Sequence, residues 1–179
     1  MGRVHRPERT GRDRQRELFL TDQMTLNCRE GVSLFLFATL DGTISGWAPQ
    51  ANFNEAILAV DNSANKAVYT GLAITNRASG NLLYAADQAN GKVDIYDGNF
   101  TFVKSFTSTT LPAGFAPFGI QDINGLLYVT FADVNGGSGG FVDLFKEDGT
   151  FVKTLIQGAP LNQPWGGGRG ATELWTAEQ

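Results

Sequence analysis

The sequence predicts an all-β protein made of β-propeller blades of four antiparallel strands, about three of them. Three observations carry this. The stretch "NLLYAADQANGKVDIYDGNFTFVKSF" (residues 81–106) is echoed by "GLLYVTFADVNGGSGGFVDLFKEDGTFVKTL" (125–155), and self-similarity at a period of roughly 20–50 residues marks a repeat architecture. Within each copy, short β-rich apolar runs alternate with turn residues. No long segment has helical periodicity.

The elements follow in order. An early copy, "LFATLDGTISGW" (36–47), parallels "LYAADQANGKVDIY" (83–96), with Gly42 against Gly91 and Trp47 against Tyr96. The second unit opens with "GLAI" (71–74). "LLYAA" follows as a run suited to a strand buried on both faces. "KVDIY" then alternates, so Asp94 points away from Val93 and Ile95. Asp97-Gly98 punctuates, because Asp-Gly suits the positive φ values of a tight hairpin, and "FTFVKSF" completes the unit. The third unit repeats the plan with "FGIQDI", "LLYVTFA", "FVDLF", Asp148-Gly149 and "TFVKTL". Its extra residues fall in "NGGSGG" (135–140), a loop position where insertion is tolerated. Pro164-Trp165-Gly166 matches Pro117-Phe118-Gly119 and reads as the opening of another blade. A β-sandwich offers no reason for an echo at about 48 residues, and a β-helix usually repeats with a shorter coil.

Residues 32–166 are therefore expected to hold a partial propeller, with tails 1–31 and 167–179 outside it. Closed propellers have roughly 4–8 blades. Three units imply part of a larger ring, a gene fragment, or a homodimer joining open blade edges, which are otherwise an association hazard.

Composition narrows the function. The net charge is -4, so nucleic acid is not an expected partner. No apolar run approaches the roughly 18 residues of a spanning helix. One cysteine, Cys28, and one histidine, His5, argue against an internal disulfide, Ser-His-Asp chemistry and poly-His metal sites. Residues 1–30 hold seven arginines and five acids, whereas 31–179 carry seven Lys and Arg against thirteen acids. The basic tail is compositionally foreign to the rest. Acids interrupt its arginines and aromatics are nearly absent, which weakens a phosphate-binding arm.

The segments "LFATLDGTISGWAP", "YTGLAI", "NLLYAADQANGKVDIYDGNF", "LPAGFAPFGIQDINGLLYVTFA", "GGFVDLFKEDGTFVKTL" and "LNQPWG" occur in that order over about residues 34–166. They resemble a family of uncharacterised bacterial NHL-like β-propeller proteins, often exported, some with PEP-CTERM-type sorting signals. The resemblance implies a six-bladed propeller and an extracellular or periplasmic location for intact relatives. It carries no catalytic residues.

Three carboxylates, Asp41, Asp87 and Asp133, recur every 46 residues. A ring of them would suit a hard cation such as Ca2+; each also suits the start of a turn. The loop "ADVNGGSGG" lacks the further acids of a calcium loop. The apolar stretch "LPAGFAPFG" supplies Phe115, Pro117 and Phe118 as candidate ligand-binding residues on a blade connection. Trp47, Trp165, Tyr84, Tyr128, Tyr96 and Phe145 are expected to pack blade against blade. The reading that follows is a non-catalytic module that binds protein or glycan, or serves structurally. The alternative is a metal-dependent propeller lactonase or hydrolase.

Overall fold

The computed structural model describes residues 16–19, 26–28, 31–169 and 174–178. Fourteen of its strands fall in four antiparallel sheets. The first blade comprises β1 (Arg16–Phe19), β4 (Phe35–Thr39), β5 (Thr43–Trp47) and β6 (Ile57–Asp61), in that spatial order. The second is β7 (Tyr69–Thr75), β8 (Leu82–Asp87), β9 (Lys92–Asp97) and β10 (Phe102–Phe106). The third is β11 (Phe115–Ile123), β12 (Leu126–Asp133), β13 (Phe141–Lys146) and β14 (Phe151–Gln157). A two-stranded sheet follows, β15 (Pro164–Arg169) with β16 (Leu174–Glu178). A separate hairpin joins β2 (Leu26–Cys28) to β3 (Gly31–Ser33). Neighbours pair in chain order within the second and third blades, which is the meander of a propeller blade.

Both tails named from the sequence contribute backbone to this plan. β1 pairs with β4, and β16 pairs with β15. Most of the basic tail lies outside the described residues.

Burial follows from the stacking. The middle strands are covered on both faces, so β8 and β9 are buried almost throughout. The fourth strands form the outer rim: β10 leaves Phe102 and Val103 about half exposed. One core lies between the first two blades, with Leu36, Ala38 and Ile44 against Leu72, Leu83 and Tyr96. A second lies between the second and third, with Tyr84, Val93 and Ile95 against Leu127, Val129, Phe131 and Phe145. Phe106 meets Phe145 across that junction with ring centroids 4.9 Å apart. Of the six aromatics assigned to blade packing, Tyr84, Tyr96 and Phe145 are buried, while Trp47, Tyr128 and Trp165 are half-buried.

The first strands converge. β11 lies beside both β7 and β15. A Cβ at Gly71 would sit 2.8 Å from the carbonyl oxygen of Phe118. A Cβ at Gly119 would overlap the carbonyl oxygen of Trp165. Thr70 and Thr130 lock the same places: Thr70 Oγ1 donates to the Phe118 carbonyl at 2.7 Å, and Gly119 N donates to Thr130 Oγ1 at 2.9 Å.

The turns depart from the sequence reading in one respect. Asp97-Gly98 and Asp148-Gly149 do not hold equivalent places. Both hairpins have three-residue loops, closed by Asp97 N to Thr101 O and Lys146 N to Thr150 O, each 2.9 Å. Asp97 therefore matches Lys146. The left-handed position is Gly149 in one turn, with φ +80°, and Phe100 in the other, with φ +62°.

Gly119→Ala is expected to destabilise the protein by about 1–3 kcal/mol through overpacking, and Gly71→Ala comparably. Gly98→Ala, whose nearest neighbour would be 3.8 Å away, is expected to be near neutral. Urea midpoints measure the contrast.

Candidate functional site

Each blade end carrying a β8–β9 type turn also carries the start of the blade's first strand, since Tyr69 pairs with Asp87 and Phe115 with Asp133. The sequence candidates gather at this end. Asp87 is fully buried. Its Oδ1 accepts from Val68 N at 3.0 Å and Asn90 N at 3.3 Å, and its Oδ2 accepts from Asn90 Nδ2 at 2.7 Å. Asp133 Oδ1 accepts from Asn135 N at 2.8 Å. Asp41 is exposed and accepts from the hydroxyls of Thr39 and Thr43. All three carboxylates are engaged by their own turns.

The 46-residue spacing does not mean equivalent ring positions. Ladder register equates Asp87, one position beyond the Ala86–Val93 pair, with Thr39, one position beyond the Ala38–Ile44 pair. In the third blade Ala85 opposite Asp94 corresponds to Val129 opposite Asp143, so Asp87 corresponds to Phe131. Differences in turn length produce the regular spacing. Among the described residues no group of three or more His, Cys, Asp or Glu is placed to hold a metal ion. The "ADVNGGSGG" loop is tied down instead, with Gln163 Nε2 donating to the carbonyls of Asp133 and Gly137.

Phe115 is half-buried and stacks edge-on against Phe141, centroids 4.9 Å apart. Pro117 is buried. Phe118 is half-buried and meets Trp165 edge-to-face at 5.7 Å and 87°. Thr70, Phe118 and Trp165 each precede the glycine of a converging first strand, so they share one register position on successive blades. Trp165 belongs beside Phe118 in a candidate site, which its repeat position alone had assigned to core packing.

Sequence reasoning missed a polar cluster between the first two blades. Asp94 is fully buried. Its Oδ1 accepts from Lys92 Nζ at 2.8 Å and Ser105 Oγ at 2.7 Å, and its Oδ2 from Tyr69 Oη at 3.0 Å. Tyr69 and Tyr96 share a 2.7 Å hydroxyl contact, and Asn62 Nδ2 donates to Tyr69 Oη at 3.0 Å. Burial, reinforced by the Asp94 charge, pushes the Tyr96 hydroxyl up to about 12. Burial also raises Tyr69. The counterpart, Asp143, is equally buried but, among the described residues, keeps only the Thr154 hydroxyl at 2.7 Å; its Oδ2 has no hydrogen-bond partner there. Phe141 and Phe145 stand where the second blade has Lys92 and Tyr96. Alternation in "KVDIY" and "FVDLF" was visible in the sequence; the loss of partners was visible only once Lys92 was matched with Phe141.

These blades define a protein of the β-propeller class. The virginiamycin B lyase of Staphylococcus aureus has a similar fold, with a TM-score of 0.59 over 80% of this chain and 45% of that one, at 17% identity. Three uncharacterised proteins of Acanthamoeba polyphaga mimivirus are similar in sequence. They are 34%, 30% and 27% identical over 75%, 74% and 80% of this chain. The chain spans 27%, 36% and 44% of their lengths. No protein-family model matches the chain. These relatives are viral, which corrects the resemblance to an exported bacterial family. Blade motifs reflect strand burial and turn chemistry, so they recur wherever blades stack and do not identify a lineage.

Asp94→Val is expected to cost more than about 2 kcal/mol by stranding its donors. Asp143→Val is expected to lie within about 1 kcal/mol of wild type or above it, because it removes an unpartnered buried oxygen. Chemical denaturation distinguishes them. The raised tyrosines bind protons in the folded state that the unfolded chain loses, so stability is full below pH of about 10 and falls as pH rises through about 10–12. Tyr69→Phe is expected to flatten that decline in an alkaline denaturation series.

Proposed function

We propose that this chain is a non-catalytic binding module of the β-propeller class, taking a protein or glycan partner on the converging first strands. The carrying observation is the Phe118–Trp165 pair. Two half-buried rings sit edge-to-face on strands whose backbones are locked by Gly71, Gly119, Thr70 and Thr130. Aromatic side chains on a rigid frame supply contact area with little ordering cost. Phe115 and Pro117 set the approach of the connection to that surface. The first blade adds support for a protein partner, since Phe53 is 73% exposed beside Trp47.

The alternative is a metal-dependent hydrolase or lyase, suggested by the fold it shares with a lyase. It would need carboxylates turned toward a cation, whereas Asp41, Asp87 and Asp133 accept bonds from their own turns.

A glycan array and a protein-partner panel, each read with wild type and Phe118→Ala, test the proposal. Wild-type binding that falls about tenfold or more in Phe118→Ala, at unchanged melting temperature, is the expected outcome. A calcium-dependent rise in melting temperature together with turnover of a lactone panel would move the reading to the enzyme.

A further inference from the structure

We propose a second binding site: a cleft of about 480 Å3 at the opposite end of the second blade, which takes a neutral, hydroxyl-rich ligand of the saccharide class. It lies between the tips of the β7–β8 and β9–β10 hairpins, away from the end bearing Asp87. It neither uses Phe118 nor depends on the surface described above.

The cleft exists because of an insertion. In the third blade, β11 and β12 are joined by two residues, Asn124-Gly125, both at positive φ. In the second blade six residues, 76–81, join β7 to β8. Two residues are enough to reverse an antiparallel chain, so the longer loop is not needed for the fold. Loops of this kind on rigid frames are common places for binding residues.

The lining is polar and held in place. Arg77, Ser79 and Asn81 come from the inserted loop, and Asp97 and Asn99 from the facing turn, with Leu82 as the apolar wall. Arg77 pairs with Glu147 of the third blade, so its guanidinium is set by a neighbouring blade. Glu147 is fixed in turn, because its carbonyl accepts from Tyr84 Oη at 2.8 Å. Arg77 Nε is buried and has no hydrogen-bond partner among the described residues. Asp97 Oδ1 accepts from the backbone of Asn99 and Thr101, both at 2.8 Å, which stiffens the opposite wall.

Charge selects the ligand class. The Arg77 cation is answered by Glu147, and Asp97 adds a further negative charge. Asp122 on β11 feels both Arg77 and Glu147, with burial raising its carboxyl. The surroundings therefore disfavour a phosphate or carboxylate. Closely spaced donors and acceptors disfavour an apolar ligand, which would leave them unpaired. A neutral ring of hydroxyls matches guanidinium, amide, hydroxyl and carboxylate groups together. The volume is within the roughly 300–1,000 Å3 of small-ligand clefts.

Amide-resolved NMR titration with neutral mono- and disaccharides tests this, with inorganic phosphate run in parallel. Shifts confined to residues 76–82 and 97–101, for at least one saccharide at millimolar concentration, are expected. Ser79→Ala and Asn99→Ala should each weaken that binding about tenfold. Replacing residues 76–81 with Asn-Gly should abolish it while leaving the melting transition cooperative. The point variants carry the test if that replacement fails to fold. No saccharide response at these amides, binding that survives both point variants, or a preference for phosphate would overturn the proposal. None of these outcomes touches the Phe118 surface, which Phe118→Ala reads separately.

Discussion

The close approach of one blade's backbone to the next is the constraint on which the rest depends. At Gly71 and again at Gly119 a first strand comes so near the following blade's carbonyl that no side chain fits between them. This sets the spacing at which blades converge. That spacing decides how far the middle strands are covered, and so why β8 and β9 are buried on both faces. It also places Thr70, Phe118 and Trp165 side by side, because each precedes the glycine of its strand.

Double-sided burial has a consequence for polar residues. In a sheet with one wet face, the aspartates of "KVDIY" and "FVDLF" would point into water. Here a neighbouring blade covers them. The second blade meets this with Lys92, Tyr69, Asn62 and Ser105 around Asp94. The third has an aromatic junction around Asp143 and leaves one oxygen without a donor among the described residues. The same blade plan thus accommodates a satisfied polar network and an apolar stack, and the two junctions differ in which groups are left to interact.

The two ends of a blade are also unlike. At one end, loops are tied to the connections between blades, as Gln163 holds the carbonyls of Asp133 and Gly137. At the other, a tight Asn-Gly reversal in one blade contrasts with a six-residue loop in its neighbour. Function, on this reading, sits where the repeat is broken by surplus residues or by aromatic rings that the core does not fully absorb.

The amino-acid sequence by itself determined the class of fold and the blade count. Strand runs such as "LLYAA" and "LLYVTFA", and the echo of residues 81–106 in 125–155, need only local patterning to be read. Blade order was legible for the same reason. Equal spacing of Asp41, Asp87 and Asp133 misled, because turns of different length shift sequence intervals while ladder register counts only paired residues. The two Asp-Gly pairs misled likewise. Tertiary structure alone decided which aspartates keep partners, that Trp165 stands beside Phe118, and that the loop at 76–81 opens a cleft held by Glu147. Those contacts join residues on different blades, and such distances depend on how rigid sheets pack, which no local pattern records.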